Sequence, residues 1–169
     1  MTTNAEQDFL QLIQQHQGIL RKVCQLYGRS DVDRDDLYQE IVIQLWKAFG
    51  SFRGDSKIGT WMYRIALNTA ISNLRKQSRK VALSFPEFLP REEADTNEER
   101  IKEEKLKEMY AAISRLSEVE KAIVMLYLED KSYEEMEEIL GINNGNLRVK
   151  MNRIKDKLRT LTKAESYGA

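Results

Sequence analysis

Cysteine and histidine are almost missing from this sequence: there is one of each, Cys24 and His16. A single cysteine excludes a disulfide within the chain. One Cys with one His excludes the usual zinc sets of two to four such ligands. Proline is scarce, at two residues, and glycine stands at eight in 169. So little turn chemistry works against a many-stranded sheet and favours helices. No apolar run approaches the roughly 20 residues that span a bilayer. Residues 1–8 show no basic stretch followed by an apolar core, as a secretory signal would. With 41% hydrophobic and 32% charged residues, the chain is neither low-complexity nor broadly disordered. The expectation is a cytoplasmic protein without metal or cofactor, built as one mid-sized domain or two small ones.

Net charge is absent too, with 27 basic residues against 27 acidic ones. The zero hides a segregation. Residues 61–83 carry five basic and no acidic groups, and residues 142–169 carry seven basic and two acidic. Between them, residues 84–141 carry eight basic and 17 acidic. Two separated basic blocks fit two contacts with a polyanion; each also fits a solvated helix face.

What is present is helical periodicity. Phe9, Leu12, Ile13, His16, Ile19, Leu20, Val23 and Tyr27 recur at helical spacings, so one amphipathic helix is expected over Asp8 to Tyr27. A second is expected from Asp33 to Phe49, with Leu37, Ile41, Leu45, Trp46 and Phe49 inward and acidic residues in its first turn. A turn-rich loop, Gly50 to Ser56, precedes a third from Gly59 to Lys80. Periodicity then stops across Val81 to Asn97, which holds Pro86, Pro90 and an acidic cluster. This reads as a flexible linker.

A helix resumes near Glu98 and reaches Leu116, with Ile101, Leu106, Met109, Ile113 and Leu116 inward. Ser117 with Glu120, and Ser132 with Glu135, are capping boxes opening two further helices. Val119, Ala122, Ile123, Leu126 and Tyr127 give the inward stripe of the first. Gly141 ends the second, and Asn143 caps a last helix with Leu147, Met151, Ile154, Leu158 and Leu161 on one face. The fold class is all-α: a helical domain over 1–80, a linker over 81–97, and a second helical domain over 98–169.

The stretch from Ser132 to Leu161 follows the grammar of a helix-turn-helix, whose second helix enters the DNA major groove. Small polar residues at the start of that helix, Asn143, Asn144, Gly145 and Asn146, place backbone N–H groups where phosphate lies. Arg148, Lys150 and Arg153, further in, reach guanine edges or phosphates. An ordinary helical hairpin with a basic face is the plainer alternative. Enzyme chemistry finds no footing: there is no Gly-rich phosphate loop, no nucleophile with a histidine partner and no metal cluster. The acidic pairs Glu134-Glu135 and Glu137-Glu138 read as solvated surface.

These residues also carry a family likeness. The run Ser132-Tyr133-Glu134-Glu135-Met136 through Gly141-Ile142-Asn143-Asn144-Gly145-Asn146-Leu147-Arg148-Val149-Lys150 resembles region four of bacterial sigma factors of the extracytoplasmic-function group. Leu116 to Lys121 resembles the first helical pair of that region. Asp35-Asp36-Leu37-Tyr38-Gln39-Glu40 with Leu45-Trp46 resembles the polymerase-binding helix of region two, and Ser51 to Ser56 with Thr60 to Ala70 resembles its promoter-melting segment. The likeness covers residues 8–162. Two motifs depart from it. Glu137 stands where the group usually has a small residue, and Asn143-Asn144-Gly145-Asn146 stands where a small residue, Gly and Thr are usual.

The likeness implies a subunit that makes and breaks no bond. Its partners would be core RNA polymerase, through the beta-prime clamp helices and the beta flap, and promoter DNA. An anti-sigma factor is a further partner the group commonly has, and no small-molecule substrate is implied. Asp36, Gln39, Glu40 and Gln44 would meet polymerase. Asn68 would read an unstacked base, with Arg75, Lys76, Arg79 and Lys80 on phosphates. Asn143, Asn144, Asn146, Arg148, Lys150 and Arg153 would grip the distal promoter element. A stand-alone helix-turn-helix regulator, dimerising through its N-terminal half, is the rival reading; it should bind DNA without polymerase.

Overall fold

The computed structural model describes residues 3–78 and 97–167. The candidate residues Arg79 and Lys80, and all of the expected linker but Asn97, lie outside the described residues. Eight helices account for the described chain: α1 (Asn4–Gln15), α2 (Gln17–Tyr27), α3 (Asp31–Phe49), α4 (Ile58–Ser78), α5 (Asn97–Ser114), α6 (Glu118–Leu128), α7 (Tyr133–Leu140) and α8 (Asn144–Tyr167). No strand occurs among the described residues, in line with the all-α expectation. Two compact units result, one built on α1–α4 and the other on α5, α6, α8 and most of α7.

In the first unit α2, α3 and α4 pack on one another around Leu20, Val23, Ile41, Leu45, Met62 and Leu67, all fully buried. Ser30 caps α3 by accepting a hydrogen bond from the Asp33 N–H at 3.1 Å, and Asp31 and Asp33 complement the dipole of its first turn. The single helix expected over Asp8 to Tyr27 is two. The break falls at His16 (φ −117°, ψ 23°), whose N–H still donates to the Leu12 carbonyl while its own carbonyl accepts from the Ile19 N–H. Packing dictates it. α1 lies on α3 through an aromatic knot, Phe9 against Trp46 at 5.0 Å and Phe49 at 5.3 Å, edge to face. The apolar stripe runs unbroken through His16, so periodicity alone does not reveal the bend. The knot sits at the rim, leaving Trp46 43% exposed rather than inward as its spacing suggests.

In the second unit α8 is the spine, with α5 and α6 packed on it. Ala112, Ile113, Leu116, Ile123, Leu126, Met136, Leu147 and Ile154 form the core. Both expected capping boxes are in place. Ser117 and Glu120 exchange N–H bonds at 2.9 and 3.2 Å, as do Ser132 and Glu135 at 3.2 and 3.1 Å. α6 ends in a Schellman turn, with the Lys131 N–H on the Leu126 carbonyl and the Asp130 N–H on that of Tyr127. Asp130 takes the left-handed position there at φ 56°, where glycine is usual.

Ile101 and Leu106 differ from expectation: both are exposed. Five residues apart, they stand about 140° from each other on a helix and cannot share a stripe. They also flank a densely charged stretch, Lys102 to Lys105. Tyr127 is exposed as well, since its ring serves Lys155 instead of the core.

Candidate nucleic-acid and polymerase interfaces

α7, its turn and α8 form the expected helix-turn-helix. Gly141 takes φ 70°, and the Asn143 carboxamide Oδ1 accepts the Gly145 N–H at 2.8 Å, an N-cap that opens α8. Leu147, Met151 and Ile154 bury the inner side of α8, so its other faces are offered outward.

At about 100° per residue, the candidate residues of α8 fall on two flanks. Asn144 and Arg148 share one; Asn146, Lys150 and Arg153 share the other. The first flank is tied together. The Arg148 Nε donates to Asn144 Oδ1 at 2.9 Å, and the Asn144 amide donates to Glu134 Oε1 at 3.1 Å. The guanidinium carbon lies 4.5 Å from the centre of the Tyr133 ring. On the second flank, Arg153 borders a shallow cleft with Arg115, Lys157 and Leu161. Between the flanks runs an exposed ridge containing Val149 and Asn152. Sequence reasoning missed Val149, Asn152, Tyr133 and Glu134. An apolar residue off the buried stripe is the signal that marks Val149.

Not every cation of α8 faces outward unpaired. Lys157 is ion-paired with Glu120 at 2.9 Å, and Lys155 sits over the Tyr127 ring at 4.9 Å.

On α4, Asn68 and Arg75 are exposed and, seven residues apart, fall on one stripe; Lys76 is exposed beside them. Trp61 at the start of the helix is buried, with Phe52 of the preceding loop leaning on it at 4.9 Å.

α3 presents a different face. Val32, Asp36, Gln39, Ile43 and Trp46 are exposed at gaps of four, three, four and three, which is one continuous stripe. Glu40 and Gln44 flank it, half-buried and joined to each other at 2.9 Å. All four expected residues therefore lie on or beside this stripe. Val32 and Ile43 stand on it too and make it mixed apolar and acidic rather than acidic alone. Among the described residues no three His, Cys, Asp or Glu side chains stand close enough to hold a metal ion. No helix among them is long and apolar enough to cross a membrane.

Known proteins match this architecture in chain order. Residues 12–80 match the family described as Sigma-70 region 2, and residues 106–158 match Sigma-70, region 4. The ECF RNA polymerase sigma-E factor of Escherichia coli (strain K12) is 32% identical over 148 residues, covering 80% of this chain and 78% of that protein. The ECF RNA polymerase sigma factor SigM of Mycobacterium tuberculosis is 24% identical over 154 residues, covering 90% and 76%. Among solved structures, the sigma factor RpoE in complex with the anti-sigma factor NepR from Bartonella quintana superposes with a TM-score of 0.75 at 22% identity. It covers 92% of this chain and 97% of that one.

Proposed function

The chain belongs to the sigma factors of the extracytoplasmic-function group, which direct transcription initiation, and from that premise we propose how its residues divide the work. The stripe of Val32, Asp36, Gln39, Ile43 and Trp46, with Glu40 and Gln44, docks on the beta-prime clamp helices of core polymerase. Carboxylates on such a face steer and orient a basic partner helix, while Val32 and Ile43 supply apolar burial along it. Residues 1–80 act as the region-two domain, 98–169 as the region-four domain, and 81–97 as the tether.

Asn68 reads a base of the opened proximal element, its amide offering donors and an acceptor to a Watson–Crick edge. Arg75 and Lys76, with Arg79 and Lys80, hold phosphates. α8 enters the major groove of the distal element, while the beta flap of polymerase holds the second domain over it. Each domain alone makes a small interface; polymerase fixes their separation, so the second contact forms at high effective concentration. The chain itself performs no covalent chemistry, works in the cytoplasm, and is open to control by an anti-sigma factor; the similar RpoE was solved in complex with one, NepR.

The observation that carries this reading is the division of charge in the fold. Exposed cationic residues stand on α4 in one unit and on α8 in the other, while α3 of the first unit carries an exposed acidic-apolar stripe. The test is a mobility shift of promoter DNA with and without core polymerase. A shift only in the presence of polymerase is expected. A tight, sequence-specific shift by the chain alone would instead support the stand-alone regulator.

A further inference from the structure

We propose that Tyr133, Glu134 and Asn144 are positioning residues that fix Arg148 for one base pair of the distal element. Specificity at that pair is thus set partly by the first helix of the motif; this rests on the promoter-binding role given to α8 above.

An arginine on a helix surface has many rotamers, and binding one base must freeze them. Here the freezing is done before DNA arrives. The Tyr133 ring, at the first position of α7 and immediately after the Ser132 capping box, supports the face of the guanidinium at 4.5 Å. Asn144 holds its Nε at 2.9 Å. Glu134 holds Asn144 at 3.1 Å. With Nε occupied, the donors left to face outward are the two terminal nitrogens, a pair whose spacing suits guanine O6 and N7. Asn144, which the likeness places on the distal element, accepts from Arg148 with its carbonyl oxygen and donates an amide N–H to Glu134. It acts as the hinge pin of this arrangement.

Glu134 also bears on what Arg148 touches. A carboxylate placed beside a DNA phosphate is repelled. A cation buttressed through an acid is therefore better placed over base edges, which carry no net charge, than against the backbone. Lys150 and Arg153, on the opposite flank, suit phosphates.

The experiment is run-off transcription by the full chain with core polymerase on templates carrying every single substitution of the distal element. Arg148→Ala should lose about 5- to 150-fold discrimination at one base pair. Tyr133→Leu and Asn144→Ala should each weaken discrimination at that same pair by about 2- to 5-fold, leave the other positions unchanged, and add little in an Arg148→Ala background. Tyr133→Phe, which keeps the ring, should behave as the unmodified chain. Equal loss at all positions, accompanied by a shallower salt dependence, would make Arg148 a phosphate contact and overturn the proposal. So would discrimination in Tyr133→Leu identical to the unmodified chain. Failure of the unmodified chain to initiate at all would instead contradict the promoter-binding role, an outcome visible before any variant is compared.

Discussion

Lys157, just past the middle of α8, reaches Glu120 in α6 with 2.9 Å between Nζ and Oε1, while the same carboxylate closes the capping box at Ser117. One acid thus starts α6 and anchors the middle of the recognition helix to it. Burial works to raise the Glu120 carboxyl, but the Ser117 backbone N–H and then Lys157 outweigh it, holding the carboxyl below its ordinary 4.5.

A carboxyl held low by the fold is protonated more readily in the unfolded chain, so its contribution is complete above about pH 4.5 and drains as the pH falls through the lower folded value. Glu120→Gln, which can still close the capping box, should flatten this acid limb of the stability curve. Lys157→Met should cost about 0.2–1 kcal/mol and Ser117→Ala about 0.5–2 kcal/mol near neutral pH, read by urea unfolding.

Gly28 and Gly18 should respond in opposite directions to alanine. A Cβ on Gly28 would run into Arg34 Cγ and stand 2.7 Å from the Cys24 carbonyl oxygen and 3.1 Å from Arg34 Cα. Two of those atoms are backbone and cannot swing away, so Gly28→Ala should destabilise by about 1–3 kcal/mol. Gly18, inside α2, meets nothing within 4 Å. Gly18→Ala should stabilise by about 0.5–1 kcal/mol. Thermal melts of the two variants check both signs.

Cys24 is the buried thiol of α2, and burial, with the Asp35 carboxylate adding to it, pushes it up to about 11. At pH 8 it should be inert to iodoacetamide in the folded chain and react once urea unfolds it. The sign of its pH effect is opposite to that of Glu120. Its contribution is complete below about pH 9 and is lost as the pH rises towards 11, a slope that Cys24→Ala should remove.

The α3 stripe should fail when its charge or its apolar character is inverted. Asp36→Lys with Glu40→Lys, and separately Ile43→Asp, should each weaken co-purification with core polymerase at least about tenfold. All three positions lie outside the buried core, so circular dichroism melts should move little. Full retention on polymerase would move the docking face elsewhere.

Much of this was legible from residue order. The two capping boxes, Gly141 as a helix stop and Asn143 as a cap are local devices, and local chemistry is what a sequence displays directly. The break at His16 was hidden because the apolar stripe continues through it; it exists only because α1 must lay Phe9 against Trp46 and Phe49. Exposure of Leu106 was hidden for the converse reason, since periodicity marks an apolar face without saying whether a partner covers it. At the candidate interfaces, residue types pointed to Arg148, while Asp36 and Asn68 came from the family likeness. The Tyr133–Arg148 contact joins positions 15 apart through a turn, and only the fold brings them together.

The most direct measurement is run-off transcription from a promoter library by the purified chain with core RNA polymerase, with 5′ ends mapped. Discrete start sites that appear only when both components are present, and that share two short elements at a fixed separation, are the expected result. Association without initiation, or initiation that ignores template sequence, would contradict it.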